Sequence, residues 1–184
     1  MEISKKTLLL VTLLMGLTFI AISQPYQKGT LSVSMGGEVL FAERKLSATH
    51  HTGAGATVKG EYVFGKHASA TLVSGYYFMQ GKSKALINNE NISAVPLKTG
   101  LRYYFGNFYA AGEGGAIIFA GFNQGTGFVY SFGMGDKITF GNRVIDIALR
   151  HESWVVNKNT NSVIAVRVGY EFAVNQKTQR TRGF

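Results

Sequence analysis

The chain has 184 residues, a formal net charge of +9, 46% hydrophobic residues and no cysteine. The absence of cysteine excludes a disulfide framework, a thiolate metal site and a lipoprotein anchor. The pI near 9.8 would suit a nucleic-acid partner, but the basic residues are interleaved with apolar ones, so we expect no nucleic acid as a partner.

The first predicted element is a secretory signal peptide at residues 1–23. Two lysines precede an apolar run at 8–22, and Ala21-Ile22-Ser23 places small residues at the cleavage positions. The run is shorter than the roughly 20 residues of a membrane-spanning helix. We therefore expect an exported chain, with one folded domain at 24–172 and a basic tail at 173–184.

The folded domain alternates apolar and polar residues with a period of two. In the segment 162–172, Ile164 and Val166 alternate with Arg167 and Glu171 at the intervening positions. Residues two apart share one face of a strand, so each strand has an apolar face and a charged or small face. The pattern predicts eight strands, near 29–41, 53–64, 67–79, 95–105, 108–119, 127–140, 143–154 and 162–172.

Tight glycine turns and longer polar loops alternate between these strands. Gly65-Lys66, Gly106-Asn107 and Gly141-Asn142 suit two-residue hairpin turns of type II′, which need glycine at the first central position. This alternation predicts an antiparallel up-and-down β-barrel. The longer loops are predicted at 42–52, 80–94, 120–126 and 155–161.

Aromatic residues at the tight turns favour a transmembrane barrel over a soluble one. A membrane barrel turns its apolar face to lipid and carries aromatic girdles at both interfaces, whereas a soluble lipocalin-like barrel turns that face inward. An even number of strands would place both termini in the periplasm. The predicted girdle residues are Phe64, Phe105, Phe108, Phe140 and Phe172.

The polar faces are predicted to fill the lumen with a structural network of mixed charges. Eight strands enclose a lumen that side chains fill, which disfavours a free-flowing pore. A gated path or a proton route is the functional alternative. The predicted network comprises Lys59, Glu61, Lys98, Arg102, Glu113, Asp146, Arg150, Glu152, Arg167 and Glu171, with Glu38 on the same face.

A two-residue turn at 106–107 pairs Phe105 with Phe108 and thereby fixes the register of that hairpin. Arg102 then lies diagonally next to Glu113, and the two are predicted to form an ion pair.

Strict alternation from Phe128 to Phe140 would turn Asp136 to lipid. We therefore expect a β-bulge near Gly133-Met134-Gly135, where one extra residue would restore the phase of the strand.

The residues of the last two strands carry a family resemblance. The ending VIAVRVGYEF at 163–172 and the segment Asp146–Glu152 are similar to the small outer-membrane β-barrel family of Gram-negative bacteria, which contains outer-membrane proteins A and X. The resemblance covers roughly 28–172. It implies an outer-membrane location, contact with lipid and lipopolysaccharide, and insertion by the barrel assembly machinery. Because further residues follow Phe172, either Phe172 or Phe184 would serve as the assembly signal.

Two histidine motifs invite a more specific function. His151-Glu152-Ser153 resembles the His-x-Ser pair of lipid A deacylases, but Trp154 stands where their asparagine usually follows, and no glutamate lies at the expected offset. We interpret His151 and Trp154 as interfacial residues. His50-His51 suggests a metal site, yet adjacent residues point to different sides and no third ligand is evident.

The sequence therefore predicts a non-enzymatic outer-membrane barrel without cofactor or metal, with a structural, envelope-integrity or surface-interaction role. Loops 42–52 and 80–94 are the predicted surface for an extracellular partner. A lipid A deacylase-like enzyme and a soluble lipocalin-like carrier are the alternatives.

Overall fold

The computed structural model describes residues 28–84, 87–88, 90–120, 125–140 and 143–175. The predicted signal peptide and most of the basic tail lie outside these residues. Eight long strands form a closed antiparallel barrel, and two short strands form a separate hairpin. The elements are β1 (Leu31–Ala42), α1 (Arg44–Thr49), β2 (Gly53–Val63), β3 (Ala68–Met79), β4 (Ser83–Lys84), β5 (Ile87–Asn88), β6 (Ile92–Phe105), β7 (Phe108–Ala120), β8 (Thr126–Phe140), β9 (Arg143–Val156) and β10 (Asn159–Asn175).

Each long strand pairs with the next long strand along the chain, and β10 pairs with β1 to close the barrel. This arrangement confirms the predicted eight-stranded up-and-down topology. From Leu31, the paired residues lead once around the barrel and back to β1 at Phe41, ten residues further along. Such a stagger requires strands that tilt against the barrel axis, typically by about 35–45°.

The tight turns share a sequence pattern but differ in their backbone structure. At 106–107 the predicted turn is confirmed, because Phe105 pairs with Phe108 and Gly106 has φ +74. The prediction was wrong at Gly65-Lys66, where the connection spans 64–67. Both Phe64 N and Gly65 N donate to the carbonyl oxygen of Ala68, which closes a wider turn without a left-handed glycine. The third turn, at 141–142, lies outside the described residues.

The predicted long loop at 155–161 is instead a two-residue turn. Asn157 and Lys158 have φ values of 47° and 66°, and two successive left-handed residues are typical of a type I′ hairpin, which favours asparagine at the first position. β9 and β10 therefore pair as far as Val156 and Asn159.

The bulge predicted in β8 was also wrong. The strand pairs without interruption on both sides, and Asp136 opposes Phe108 on β7 and Ile147 on β9. Asp136 lies on the outer wall, half-buried, close to the tight-turn end of the barrel. A carboxylate near the end of a strand stays within reach of water, so the regular register requires no correction there. The same register turns Lys137 into the lumen.

The two ends of the barrel differ. The turn end carries the connections at 64–67 and 106–107, and the loop end carries α1 and the β4–β5 hairpin. Leu46 of α1 is buried and packs with residues of the upper lumen. Through Leu46, α1 packs over the mouth of the barrel.

Among the described residues, no helix is long and apolar enough to cross a membrane.

Candidate functional site

The barrel carries its charges inside and its large apolar side chains outside. Lys98 and Asp146 have no exposed surface, whereas Leu101 and Phe132 are 61% and 67% exposed. A soluble barrel has the opposite distribution, because it turns the polar faces of its strands to water. The fold is therefore that of a transmembrane β-barrel, and the distribution disagrees with the lipocalin-like alternative.

The luminal charges nearer the loop end form one connected group, the loop-side cluster. Arg150 donates to both oxygens of Glu38, and its Nε lies 3.1 Å from Glu152 Oε2. Lys98 Nζ lies 2.6 Å from Glu152 Oε2 and 2.8 Å from Glu113 Oε2. Each carboxylate in this cluster thus has a cationic partner. Its members are Glu38, Lys98, Glu113, Arg150 and Glu152.

The charges nearer the turn end form a second group, the turn-side cluster. Asp146 is its hub: it binds Lys59, and its Oδ2 lies 3.3 Å from Arg102 Nη1. Arg102 Nη1 also lies 3.2 Å from Glu61 Oε2. Lys137 Nζ joins Glu61 at 2.8 Å to Glu171 at 2.7 Å. Its members are Lys59, Glu61, Arg102, Lys137, Asp146 and Glu171.

Arg167 joins the two clusters, and its positive charge brings the sum of the luminal charges to zero. Arg167 Nη1 lies 3.4 Å from Asp146 Oδ2, and its Nε lies 3.6 Å from Glu38 Oε1. Charges buried without partners are very costly, whereas a balanced and hydrogen-bonded set is tolerated. Among the described residues, the lumen holds six basic side chains (Lys59, Lys98, Arg102, Lys137, Arg150 and Arg167) and six carboxylates (Glu38, Glu61, Glu113, Asp146, Glu152 and Glu171).

All ten side chains predicted for the luminal network thus lie inside the barrel, but one predicted pairing was wrong. Arg102 was expected to pair with Glu113; it binds Glu61 and Asp146 across the lumen, and Glu113 binds Lys98. The predicted register itself is confirmed, since Gly100 opposes Glu113. That register gives Glu113 two diagonal neighbours, Lys98 and Arg102, and strand twist brings the two diagonals to different distances.

Several luminal residues were not among the predicted set. Lys137 was missed because the expected bulge would have shifted the phase of β8, although plain alternation from Phe128 places it inside. Tyr109 Oη donates to Asp146 at 2.6 Å, and Trp154 Nε1 donates to Glu152 at 2.8 Å. Trp154 was interpreted as an interfacial residue, and this was wrong, because its side chain is fully buried in the lumen. Tyr109 and Trp154 follow the same alternation as the charges, so their phase was the available signal.

The loop end of the lumen is closed by an apolar plug. A buried apolar cluster includes side chains from the barrel strands and Leu46 from α1. Tyr77 and Trp154 stack within it, with ring centroids 6.3 Å apart. Between the charge clusters, the described residues leave a cavity of about 20 Å³, room for roughly one water-sized species. The plug comprises Leu40, Leu46, Tyr77, Met79, Ile92, Ala94, Ile117, Val129, Trp154, Val163 and Ala165.

The predicted girdle residues all lie at the turn end with exposed rings. Their exposed fractions range from 39% at Phe108 to 61% at Phe105 and Phe140, with Phe64 and Phe172 between them. Their contact with a membrane interface stays a prediction. A second group of exposed aromatic residues, which the sequence reasoning did not single out, lies toward the loop end: Phe41, Tyr76, Phe78 and Phe128.

The His-x-Ser motif lies on the outer wall near the loop end. His151 and Ser153 share a strand face, as expected, but each binds another residue. His151 Nε2 lies 3.0 Å from Glu43 Oε2, and Ser153 Oγ lies 3.1 Å from Ser162 Oγ. Ser153 is only 2% exposed. Glu43 is an acidic neighbour that sequence reasoning missed, since it comes from the far end of the chain.

The His50-His51 pair is built into the loop structure. His50 Nδ1 lies 2.8 Å from Thr49 Oγ1, and its Nε2 lies 3.0 Å from the carbonyl oxygen of Glu90. The backbone of His51 donates to Gln80. Within the part of the chain that the structure describes, no group of three or more His, Asp or Glu residues is placed to hold a metal ion.

Comparisons with known proteins agree with this architecture. No protein-family model and no curated protein sequence matches the chain. The attachment invasion locus protein Ail of Yersinia pestis matches with a TM-score of 0.55 and 17% identity, over 79% of this chain and all of Ail. Its structure in a phospholipid bilayer nanodisc gives a TM-score of 0.54 at 17% identity, with the same coverage. Its complex with the heparin analogue sucrose octasulfate gives 0.50 at 16% identity, again with that coverage.

At these identities the likeness to Ail shows the fold. Together with the closed eight-stranded barrel, it confirms the predicted resemblance to the small outer-membrane barrels at the level of architecture.

Proposed function

We propose that the chain is a non-enzymatic outer-membrane protein of a Gram-negative bacterium, with a structural or surface-interaction role. The observation that carries the proposal is the inverted barrel: in the part of the chain that the structure describes, twelve paired charges lie in the lumen, and apolar side chains cover the outer wall. The outer wall needs lipid, since so large an exposed apolar surface is unfavourable in water. The filled lumen disfavours transport through the barrel.

Membrane fractionation with a heat-modifiability gel tests this location. Folded membrane barrels migrate differently in gels before and after boiling, so we expect a membrane-bound band that shifts on heating. A chain recovered from the soluble periplasmic fraction would overturn the proposal.

The loop end supplies the surface for an extracellular partner. α1 and the segment after β3 are tied together, because Lys82 Nζ donates to the carbonyl oxygen of Ser47 at 2.5 Å and Lys82 N donates to that of Thr49 at 2.7 Å. Loops held on a rigid scaffold commonly carry binding functions. Ail, which shares the fold, has been solved with a heparin analogue. The proposed partner contacts loops 42–52 and 80–94.

This proposal places the loop end outside the cell and both termini in the periplasm, where the barrel assembly machinery would insert the chain. The chain has no cysteine, so Ala48→Cys in α1 gives a single thiol at the loop end. Lys66→Cys is the matched probe at the turn end. A membrane-impermeant maleimide on intact cells should label Ala48→Cys and leave Lys66→Cys unlabelled. The reverse pattern would contradict the orientation.

The deacylase alternative is not favoured by the geometry. Activation of a serine nucleophile requires a hydrogen bond from its hydroxyl to the base. Ser153 instead bonds Ser162, and His151 directs Nε2 to Glu43. The proposed function therefore assigns these residues to the outer wall and not to catalysis.

A further inference from the structure

The cavity between the two charge clusters is lined mainly by cations. One carboxylate, that of Glu113, lies in its lining. The other luminal carboxylates that the structure describes are not among the lining residues, so they bind these cations from outside the cavity. Interactions between charges weaken with distance, so the nearest charges make the potential inside the cavity positive. The lining cations are Lys59, Arg102, Arg150 and Arg167.

Arg102, which lines the cavity, has an unpaired hydrogen-bond donor. Both of its ion pairs come from Nη1, which lies 3.2 Å from Glu61 Oε2 and 3.3 Å from Asp146 Oδ2. Arg102 is 4% exposed, and its Nε has no hydrogen-bond partner among the described residues. A buried donor without an acceptor is unfavourable, so such a group points to a bound species that accepts hydrogen bonds.

The lining offers more donors than acceptors. A lysine ammonium carries three donors, and that of Lys59 meets one acceptor, Asp146, among the described residues. The carboxylate of Glu113 is already engaged, because Lys98 Nζ lies 2.8 Å from its Oε2 and Ser131 Oγ donates to that oxygen at 3.3 Å. A water molecule needs acceptors for its own hydrogens, whereas a halide ion accepts hydrogen bonds and donates none. The lining therefore suits an anion better than a water molecule.

The cavity is small enough to select a monatomic anion. Its walls include Ala111, Gly133 and Ala148, and a Cβ added to Gly133 would lie 2.6 Å from the Cβ of Arg150. The volume of about 20 Å³ holds roughly one water-sized species, which excludes sulfate, phosphate and organic acids. A chloride ion is a little larger than water, and we expect the flexible end of Lys59 to move slightly to receive it.

We infer that the cavity binds one chloride ion or another small halide. Lys59 and Arg102 of the turn-side cluster hold the ion from one side, and Arg150 and Arg167 supply positive charge from the other. Ammonium and guanidinium groups donate charge-assisted hydrogen bonds to anions. The ion thus links the two clusters and stabilises the folded barrel. The inference concerns the lumen, so it does not depend on the proposed location or on the loop partner.

The first test is the dependence of stability on chloride. The purified full-length chain is refolded in zwitterionic detergent and unfolded with urea, while chloride replaces gluconate, an anion too large for the cavity, at constant ionic strength. A ligand that binds the folded state alone stabilises it, so each tenfold rise in chloride above the dissociation constant should raise the free energy of unfolding by about 1.4 kcal/mol. Equal stability in both salts would mean that the cavity holds water alone, and the inference would be overturned.

A matched pair of double variants locates the effect. Arg102→Gln/Glu61→Gln removes an ion pair that includes a lining cation. Lys137→Gln/Glu171→Gln removes an ion pair of 2.7 Å whose members do not line the cavity. Both variants keep the sum of the luminal charges at zero. The affinity for chloride should fall at least tenfold in the first and stay within threefold of wild type in the second; an equal loss in both, or no loss in the first, overturns the inference.

A filled cavity tests the same site with every charge in place. Ala111→Leu enlarges a lining residue, and Ala110→Leu makes the same change on the exposed outer face of β7. The chloride dependence should be lost in Ala111→Leu and kept in Ala110→Leu, and a heat-modifiable band shows that each variant folds. If a folded Ala111→Leu keeps the dependence, the halide binds elsewhere and the inference is wrong.

Crystals of the wild type grown in bromide give a direct answer that depends on no variant. An anomalous peak in contact with Lys59 and Arg102 supports the inference, and the absence of a peak there overturns it. Because all of these measurements use the purified chain, recovery of the chain from the soluble periplasmic fraction would reject the proposed location and leave the halide site standing.

Discussion

The lumen and the outer wall of this barrel use the same strands for opposite purposes. Along β6, Lys98 and Arg102 are buried in ion pairs, while Leu97 and Leu101 on the alternate positions are more than half exposed. Inside, each charge depends on specific partners, so stability there depends on which residues meet. Outside, lipid is a uniform partner, so any apolar residue of moderate size suffices. The stability of the barrel should therefore depend on the exact side chains in the lumen, whereas on the outer wall it should depend only on whether a side chain is polar or apolar.

The largest expected effect is at the hub of the turn-side cluster. Asp146→Ala removes the carboxylate that binds Lys59, Arg102 and Arg167, and it leaves buried cations without compensation. Loss of one partner of a buried pair costs about 3–5 kcal/mol. Urea unfolding in lipid vesicles measures the change in the free energy of unfolding. Asp136→Ala, on the outer wall, is the matched control and should stay within about 1 kcal/mol; equal effects would erase the contrast between inside and outside.

The outer wall should respond next most strongly, and only to charge. Leu101→Arg places a cation against lipid and should cost roughly 2–4 kcal/mol if its position is near mid-depth. Leu101→Val keeps the wall apolar and should have little effect. The same unfolding assay applies, with Ala48→Arg on α1 as a loop control. An arginine tolerated equally at both positions would mean that lipid does not contact this wall.

A smaller effect distinguishes the observed ion pairs from the one predicted from sequence. In a double-mutant cycle, Lys98→Ala and Glu113→Ala should couple by about 1–3 kcal/mol, because Lys98 Nζ lies 2.8 Å from Glu113 Oε2. Arg102→Ala and Glu113→Ala should be additive within about 0.5 kcal/mol. Stronger coupling between Arg102 and Glu113 than between Lys98 and Glu113 would show that Glu113 pairs with Arg102.

The smallest effect is expected for the histidine motif on the wall. His151→Ala and Ser153→Ala should leave lipid A acylation unchanged when the protein is overproduced in a host without a deacylase. Mass spectrometry of extracted lipid A reads the number of acyl chains. Loss of an acyl chain from lipid A only when both His151 and Ser153 are present would establish a deacylase activity.

Much of the fold could be predicted from the sequence because every barrel strand alternates inward and outward side chains in the same way. Alternation assigned Lys98 and Arg102 to the inside, and the glycine turn at 106–107 fixed the register of its hairpin. The prediction failed in β8, where a charged residue at an outward position conflicted with the alternation. Asp136 suggested a bulge, but a carboxylate near the end of a strand does not need one.

Contacts across the lumen could not be predicted in the same way. The pairing of Lys59 with Asp146 joins residues 87 positions apart, and it depends on the stagger of the closed barrel as well as on local alternation. The structure of the loop end could not be predicted either, because α1 lies in a segment whose composition indicates only a polar loop. The bond between Glu43 and His151 arises because barrel closure brings β1 beside β10.

Along every barrel strand, the charged face should point inward and the apolar face should meet lipid, without a change in the alternation. Because the natural chain has no cysteine, single cysteines introduced along β8 can each carry one spin label. In lipid bilayers, collision of each label with oxygen and with a water-soluble nickel reagent tests this arrangement most directly. Labels at 130, 132 and 134 should be accessible to oxygen, and labels at 129 and 131 should be protected from both reagents. A reversal of this alternation between 133 and 136, or nickel access at 131, would contradict an inward charged face and a lipid-facing apolar wall on β8.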